Sequence, residues 1–308
     1  MSFSQNAFLR PELVNTAVVS NGLRGRSVLV YDCSSWSGYL LQRLLPRATR
    51  IPAWRGQSSA EVLSAVTVAR TGMRTVVVFH VDLTFADEVP VGRRALTEEL
   101  GRRGLTLVNH QVIDISKRSL QRSCAKLGLP TTAARRYGPP DELVMVKTDR
   151  NYGGVPELMA ERRADGADVG PGKGAPEPPE YTVARRCDLD DAVWSRPDLF
   201  VETYVSNRRG LIYRAIVVGA ATAFMMYRSS RRVARVPADH TLVVAPERVP
   251  DAVRSAVARL AAHCGIRFGA FDVLHDDNDR AFVIDFNSTP FWGGTELGKL
   301  TDLSRSWP

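Results

Sequence analysis

The stretch GAFDVLHDDNDRAFVIDFNSTP, Gly269 to Pro290, limits how this chain can fold more than any other part of it. Two apolar runs flank Asp277-Asn278-Asp279-Arg280, a cluster whose short polar side chains favour turns by bonding their own backbone. The pattern predicts a β-hairpin. With Asn278-Asp279 at its tip, antiparallel pairing sets Asp272 across from Asp285, and Asn287, two residues on, shares their face. Phe271, Val273, Leu274, Val283, Ile284 and Phe286 are apolar and imply burial. Facing carboxylates repel one another, and buried unpaired charge is costly. A divalent cation removes the conflict, and two carboxylates with one amide oxygen suit magnesium rather than zinc. In the other reading Asp285 and Asn287 cap a turn and Asp272 pairs with an arginine.

Upstream, Ser27–Asp32 and Thr75–His80 read as buried strands, with helices at Ala60–Arg70 and Ala95–Arg103 and a short strand at Leu105–Asn109. Strands alternating with helices predict a parallel α/β unit, residues 1–110. Ser34-Ser35-Trp36-Ser37-Gly38 is a polar turn after a strand and not a dinucleotide fingerprint. A second unit, 111–199, opens with a helix near Ile115–Leu127, stopped by Gly128 and Pro130, and continues with a strand at Leu143–Thr148. Its Gly- and Pro-rich segment near 166–180 reads as a mobile loop. The third unit, 200–308, is a run of strands, Phe200–Val205, Leu211–Val218, Ala221–Arg228, Ala270–His275 and Ala281–Asn287, with one helix at Asp251–His263; it predicts an antiparallel sheet.

Charge narrows the function. The chain has 308 residues, with 41 Lys+Arg against 33 Asp+Glu, a formal net charge of +8, and the excess is mostly arginine. For most of the arginines a solubilising surface role comes first; beyond that the balance favours anionic partners, phosphorylated small molecules ahead of nucleic acid, since no nucleic-acid module is visible. The 4 cysteines are far apart and form no C-x-x-C pair, so the expectation is reduced thiols in a cytoplasmic protein. No signal peptide and no apolar run long enough for a membrane span is visible. His80, His110, His240, His263 and His275 lack ligand spacing and read as structural or surface residues, and packing is the reading for Trp292 and Gly293-Gly294. A homodimer is the base-rate expectation.

Asp272…Asp285-Phe286-Asn287-Ser288-Thr289-Pro290 resembles the terminal motif of the ATP-grasp superfamily, in which these side chains hold magnesium against nucleotide phosphates. The resemblance extends upstream in family order, over roughly residues 109–294. Lys117 resembles the first phosphate-contacting lysine, and Lys147 in Val146-Lys147-Thr148 the strand lysine that reaches the α-phosphate. Asn151-Tyr152-Gly153-Gly154 resembles the glycine-rich loop over the phosphates. Val201, Glu202 and Tyr204, in Phe200–Tyr204, resemble the hinge strand whose backbone reads adenine. Tyr213-Arg214 and Tyr227-Arg228 resemble the arginine-bearing strands.

The resemblance implies an ATP-grasp fold, an α+β and α/β architecture with two α+β subdomains clasping ATP behind a small parallel α/β domain. It implies ATP and Mg2+, with two ions and Mn2+ as a substitute. The function implied is ligation of a carboxylate to an amine, an amino acid or short peptide, through an acylphosphate. Arg228 would stabilise the transferring phosphoryl group and Arg214 orient the substrate carboxylate. No nucleic acid or membrane partner is implied. One departure stands out: the middle metal ligand is often Glu in such ligases and here is Asp285. An Asp–Asp–Asn set also occurs in ATP-grasp-like inositol phosphate kinases. A small-molecule kinase, using Arg228, Arg231, Arg232 and Arg235, is therefore the alternative. A nucleotide-binding module without turnover is the third, opposed by the intact lysines and metal ligands.

Overall fold

The computed structural model describes residues 26–32, 39–69, 74–82, 84, 89–158, 181–228 and 240–290. The segment near 166–180, the turn at Ser34–Gly38, Arg231, Arg232, Arg235 and Trp292 with its two glycines lie outside the described residues.

The first unit is a parallel sheet of β1 (Arg26–Asp32), β2 (Thr49–Pro52), β3 (Arg74–His80) and β4 (Thr106–Val108), in the order β2-β1-β3-β4. Its helices are α1 (Leu40–Leu44), α2 (Ser59–Ala69) and α3 (Arg93–Arg102). Both faces of β1 and β3 are covered, which is why each reads as a near-continuous apolar run. Leu29, Tyr31, Val77 and Phe79 share a core with Val62 and Val66 of α2 and Leu96 and Leu100 of α3. On the opposite face Val28, Val30, Val76 and Val78 share one with Ile216, Met225, Phe268 and Ala270. The first unit is thus fused by a common core to the last. Asn109 adds a clasp: its side chain donates to the Phe268 carbonyl at 2.6 Å and accepts from the Arg267 and Phe268 amides.

α4 (Lys117–Lys126) starts at Ser116, whose hydroxyl accepts the Ser119 N–H, and ends before Gly128 in the left-handed conformation that glycine adopts freely. β5 (Leu143–Thr148), β6 (Thr182–Arg185) and β7 (Leu199–Thr203), with α5 (Asp191–Ser195), build a three-stranded antiparallel sheet in the order β6-β5-β7. β8 (Leu211–Val218), β9 (Ala221–Arg228), β10 (His240–Val244), β11 (Phe268–His275) and β12 (Ala281–Asn287) form a five-stranded antiparallel sheet, β10-β9-β8-β11-β12. α6 (Asp251–His263) covers one face of it, sharing a core with Tyr213, Ala215, Phe271 and Val273.

Two elements fall across the boundary expected at residue 200. β7 pairs with β5 and belongs to the smaller sheet. α4 packs on the larger one, because its apolar face, Leu120 and Cys124, is buried in the α6 core, and Gln121 donates to the Val283 carbonyl at 2.7 Å.

The hairpin also reaches its expected pairing by another route. Its turn centres on Asn278, with Asp276 N–H bonded to the Arg280 carbonyl at 2.9 Å and Asp279 in the left-handed region at φ 59. Near the turn Val273 pairs with Val283, a register that alone would set Asp272 opposite Ile284. An irregularity between Asp272 and Val273 shifts the register by one residue, and Asp272 meets Asp285. At the other end Gly269 sits at φ 152, and a Cβ there would lie 2.6 Å from the Phe286 ring and 2.9 Å from the Asn287 carbonyl. Only glycine permits that approach. Among the described residues no helix is long and apolar enough to cross a membrane.

Candidate active site

Strand pairing aligns Arg214, Asp272 and Asp285 in one row across β8, β11 and β12, on the face away from α6. Arg214 Nη1 lies 3.6 Å from Asp272 Oδ2, while Asp272 Oδ1 is buried with no hydrogen-bond partner. Burial pushes the Asp272 carboxyl above the usual carboxylate range; the facing Asp285 adds to this, and Arg214 and Lys147 oppose it. Burial works against the Arg214 cation too, but Asp272 and its neighbours outweigh it and hold the proton more tightly than in water.

Lys117, at the first turn of α4 and almost fully buried, brings its Nζ to 3.8 Å from Asp285 and 3.3 Å from the side-chain oxygen of Asn151. Asn151 in turn donates to the Phe286 carbonyl at 2.7 Å, fastening the glycine loop to the hairpin. In that loop Tyr152, Gly153 and Gly154 follow one another at φ 49, 68 and 81. The left-handed region is natural for the glycines and strained for Tyr152. Tyr152 is half exposed, but it is held there by its hydroxyl, which accepts from the Asn287 side-chain amide, and desolvation at that inner end pushes its phenol up to about 12. The Asn287 oxygen accepts the Thr289 N–H at 2.9 Å.

From the smaller sheet, Lys147 forms a buried ion pair with Glu202, whose other oxygen accepts from the Thr132 hydroxyl at 3.0 Å. Burial alone would release the Lys147 proton, but the Glu202 carboxylate outweighs it and raises the lysine above its ordinary value, with Asp285 contributing.

The expected residues are therefore mostly brought together: Lys117, Lys147, Asn151, Gly153, Gly154, Glu202, Arg214, Asp272, Asp285 and Asn287. Three depart. Arg228 pairs with Leu211, so strand alternation puts it on the face opposite Arg214. It does not join the row, and its neighbour Tyr227 takes that face and hydrogen-bonds Arg214. Val201 and Tyr204 have backbone groups already engaged: the Val201 carbonyl accepts from Ala134 at 3.0 Å, and the Tyr204 N–H donates to Leu143 at 2.9 Å. The chain leaves the ladder only after Thr203. There a cavity of about 660 Å³ opens, lined by Thr203 to Ser206 and by the hairpin turn at Asp276 and Asp277. Tyr152 and Tyr227 are the residues that reading the sequence missed. Alternation from Arg214 could have found Tyr227; for Tyr152 only the adjacent glycines hinted at a special conformation.

The donor set fits a hard cation. Two carboxylates face each other, and one keeps an unpartnered buried oxygen. Magnesium takes one or two carboxylates and fills its remaining positions with water and phosphate oxygens. Asn287 contributes less directly, since its oxygen already accepts the Thr289 amide.

No protein-family model matches the sequence, and no curated protein matches it. Solved structures do. An ATP-grasp ligase, PsnB, complexed with a phosphomimetic variant of its minimal precursor, Mg and ADP, superposes with a TM-score of 0.52 at 14% identity, over 91% of this chain and 97% of that one. A Chryseobacterium gregarium RiPP-associated ATP-grasp ligase, in complex with ADP and a leader and core peptide, gives a TM-score of 0.50 at 11% identity, over 92% and 95%. At such identities the likeness is one of architecture, and it spans the parallel sheet, the smaller sheet and the hairpin sheet together. This chain has the ATP-grasp fold.

Proposed function

We propose that the protein is an ATP- and Mg2+-dependent ligase that activates a carboxylate as an acylphosphate and joins it to an amine. The observation that carries this reading is the row Arg214–Asp272–Asp285 meeting Lys117 and Lys147, cations delivered by α4 and by the opposite sheet. Three cations (Lys117, Lys147, Arg214) balance three carboxylates (Asp272, Asp285, Glu202). A triphosphate whose negative charge is offset by divalent cations can therefore enter without leaving net charge behind.

Asp272 and Asp285 would hold the metal, which when bound neutralises phosphate charge. Lys117 and Lys147 contact phosphate oxygens, Lys147 by exchanging part of its bond to Glu202. The left-handed loop Tyr152–Gly154 presents backbone close to the phosphates. Arg214 orients the substrate carboxylate for attack on the terminal phosphorus, and Arg228, on the other face of the sheet, does not take the phosphoryl-stabilising role expected of it. The amine then displaces phosphate and leaves an amide. Positioning and charge stabilisation do this work, and no protein nucleophile is required. The thiols agree: burial pushes Cys124 up to about 12 and raises Cys264. Two proteins of the same fold are described as ligases holding ADP, one with a precursor and one with peptides, which favours an amino acid or short peptide as substrate. The kinase reading drew on Asp285, which serves either reaction, on Arg228, which faces away, and on arginines outside the described residues.

The test is incubation with ATP, Mg2+ and pools of amino acids, short peptides, other carboxylic acids and polyols. Free phosphate that appears only with an acid and an amine together is expected. A phosphorylated polyol without free phosphate would replace the ligase by the kinase.

A further inference from the structure

We propose that the acceptor amine is received where the carboxyl end of the parallel sheet meets the chain leaving the metal hairpin, and that His80, oriented by Asp32, takes the proton whose loss frees the amine's lone pair. This rests on the ligase reading and names a residue and a place for its second step.

In the order β2-β1-β3-β4 the chain reverses its direction of growth between β1 and β3, and open α/β sheets bind ligands outside the carboxyl ends of strands at such a point. Asp32 is the last residue of β1 and His80 the last of β3, and the two are register partners. His80 is fully buried, with Nδ1 3.0 Å from Asp32 Oδ1. An ionised carboxylate only accepts, so Nδ1 carries the hydrogen and Nε2 is left as the site that gains or loses a proton. Nε2 is buried and has no hydrogen-bond partner. Among the groups around the pair are Arg50, which holds the second oxygen of Asp32, and Tyr39, edge-on to the imidazole and bonded through its hydroxyl to Asp82. Phe268 closes the side towards the hairpin sheet.

This imidazole lies at the seam with the proposed reaction centre. Val81, the next residue, accepts the Ser288 hydroxyl at 2.8 Å, and Ser288 follows the metal-site residue Asn287. Further along, the Thr84 N–H is held by Glu157 Oε1 at 2.6 Å, and the Thr84 hydroxyl accepts the Asn151 N–H at 3.3 Å. Glu157 Oε2 is buried and, like His80 Nε2, has no partner. His80, just before Val81, and Glu157, which holds Thr84, therefore each carry an unpartnered acceptor, one an imidazole nitrogen and one a carboxylate oxygen. Buried polar groups without partners are rare, and a cationic amine satisfies both kinds. The Glu157 carboxylate draws the ammonium group to the seam. His80 Nε2 takes one ammonium proton and so frees the nitrogen lone pair. As the nitrogen then bonds to the acyl carbon, the carbon–oxygen bond to phosphate breaks, its electron pair leaves with the phosphate, and the second proton goes to the departing phosphate oxygen, while His80 passes its own to water.

The experiment compares two nucleophiles on the full chain with ATP, Mg2+ and the carboxylic acid pools: hydroxylamine, largely uncharged at neutral pH and needing no base, and the pooled amino acids, which carry ammonium groups. His80→Asn keeps a donor for Asp32 and removes Nε2, and His80→Gln is the complementary change. Both should lower the ratio of amide to hydroxamate by about 100-fold, in the range of general-base catalysis, with the loss shrinking as rising pH deprotonates the amine unaided. Glu157→Gln keeps an acceptor for the Thr84 N–H and removes the charge; it should raise the KM for the amine by about tenfold relative to that for ATP, the scale of one charge-assisted contact. An unchanged ratio in both His80 variants, with hydroxamate still formed, overturns the proposal and leaves the ligase intact. Absence of hydroxamate and of phosphate release with the unmodified protein removes both.

Discussion

The two sheets that contribute to the site treat their charges in opposite ways. In the smaller sheet Lys147 and Glu202 neutralise each other, and Thr132 bonds the remaining carboxylate oxygen. In the larger sheet Asp272 faces a second carboxylate, reaches Arg214 only at 3.6 Å and keeps an oxygen with no partner. One half is closed on itself, while the other holds its cations at 3.6 and 3.8 Å from its carboxylates and keeps one buried oxygen open where a metal would sit. Binding therefore costs different things on the two sides: the smaller sheet gives up part of an existing ion pair, and the larger one gains a missing contact.

Breaking the closed half should cost the most stability. Lys147→Met leaves Glu202 buried without a counter-charge and should destabilise the fold by about 3–5 kcal/mol in urea unfolding, while adding Glu202→Leu should recover most of that loss. A single-variant loss below about 1 kcal/mol, the value of an exposed pair, would mean the smaller sheet is not closed after all. In the open half the same kind of change should strike chemistry and spare the fold. Asp285→Ala should reduce Mg2+-dependent phosphate release by about 10²–10³-fold with the melting temperature nearly kept. Unchanged turnover would refute the metal assignment.

Geometry comes next in size. Gly269→Ala should cost about 1–3 kcal/mol, because its Cβ meets the Phe286 ring and the Asn287 carbonyl, and the loss should be seen in thermal melts even without nucleotide. The smallest effect is a pH dependence. The folded protein keeps the Asp272 proton above the pH at which the unfolded chain releases it. The metal-free protein should therefore lose stability as pH rises from the ordinary carboxylate range, near about 4, through the raised folded value. Asp272→Asn should flatten that decline, and Mg2+ should offset it in the unsubstituted chain but not in the variant. Melts that run parallel in both proteins would show that the two sheets do not differ in this way.

Much of this was legible in the chain itself. Element boundaries at Leu143–Thr148, Leu211–Val218, Ala221–Arg228, Asp251–His263 and Ala281–Asn287 coincide with those expected, because each carries an uninterrupted apolar period between strong turn or cap residues. The helix Leu40–Leu44 and the strands Thr49–Pro52, Thr182–Arg185 and His240–Val244 were not legible; four or five residues are too few to display a period. The pairing of Asp272 with Asp285 was anticipated from a two-residue turn that does not exist, and a register shift supplies it instead.

Local chemistry determined the candidate residues: which positions carry carboxylates, cations and glycines, and which runs are apolar enough to be buried as strands. Tertiary structure decided which of them meet. Strand alternation turned Arg228 away and brought Tyr227 in, and pairing with residues 132–134 engaged the Val201 carbonyl. Packing of the parallel sheet on the hairpin sheet brought His80 to the seam beside the chain that follows Asn287. The physical reason is that a residue's own type sets what it can bond, whereas its partner is chosen by register and burial, which depend on segments more than a hundred residues away, as with Asn109 and Phe268.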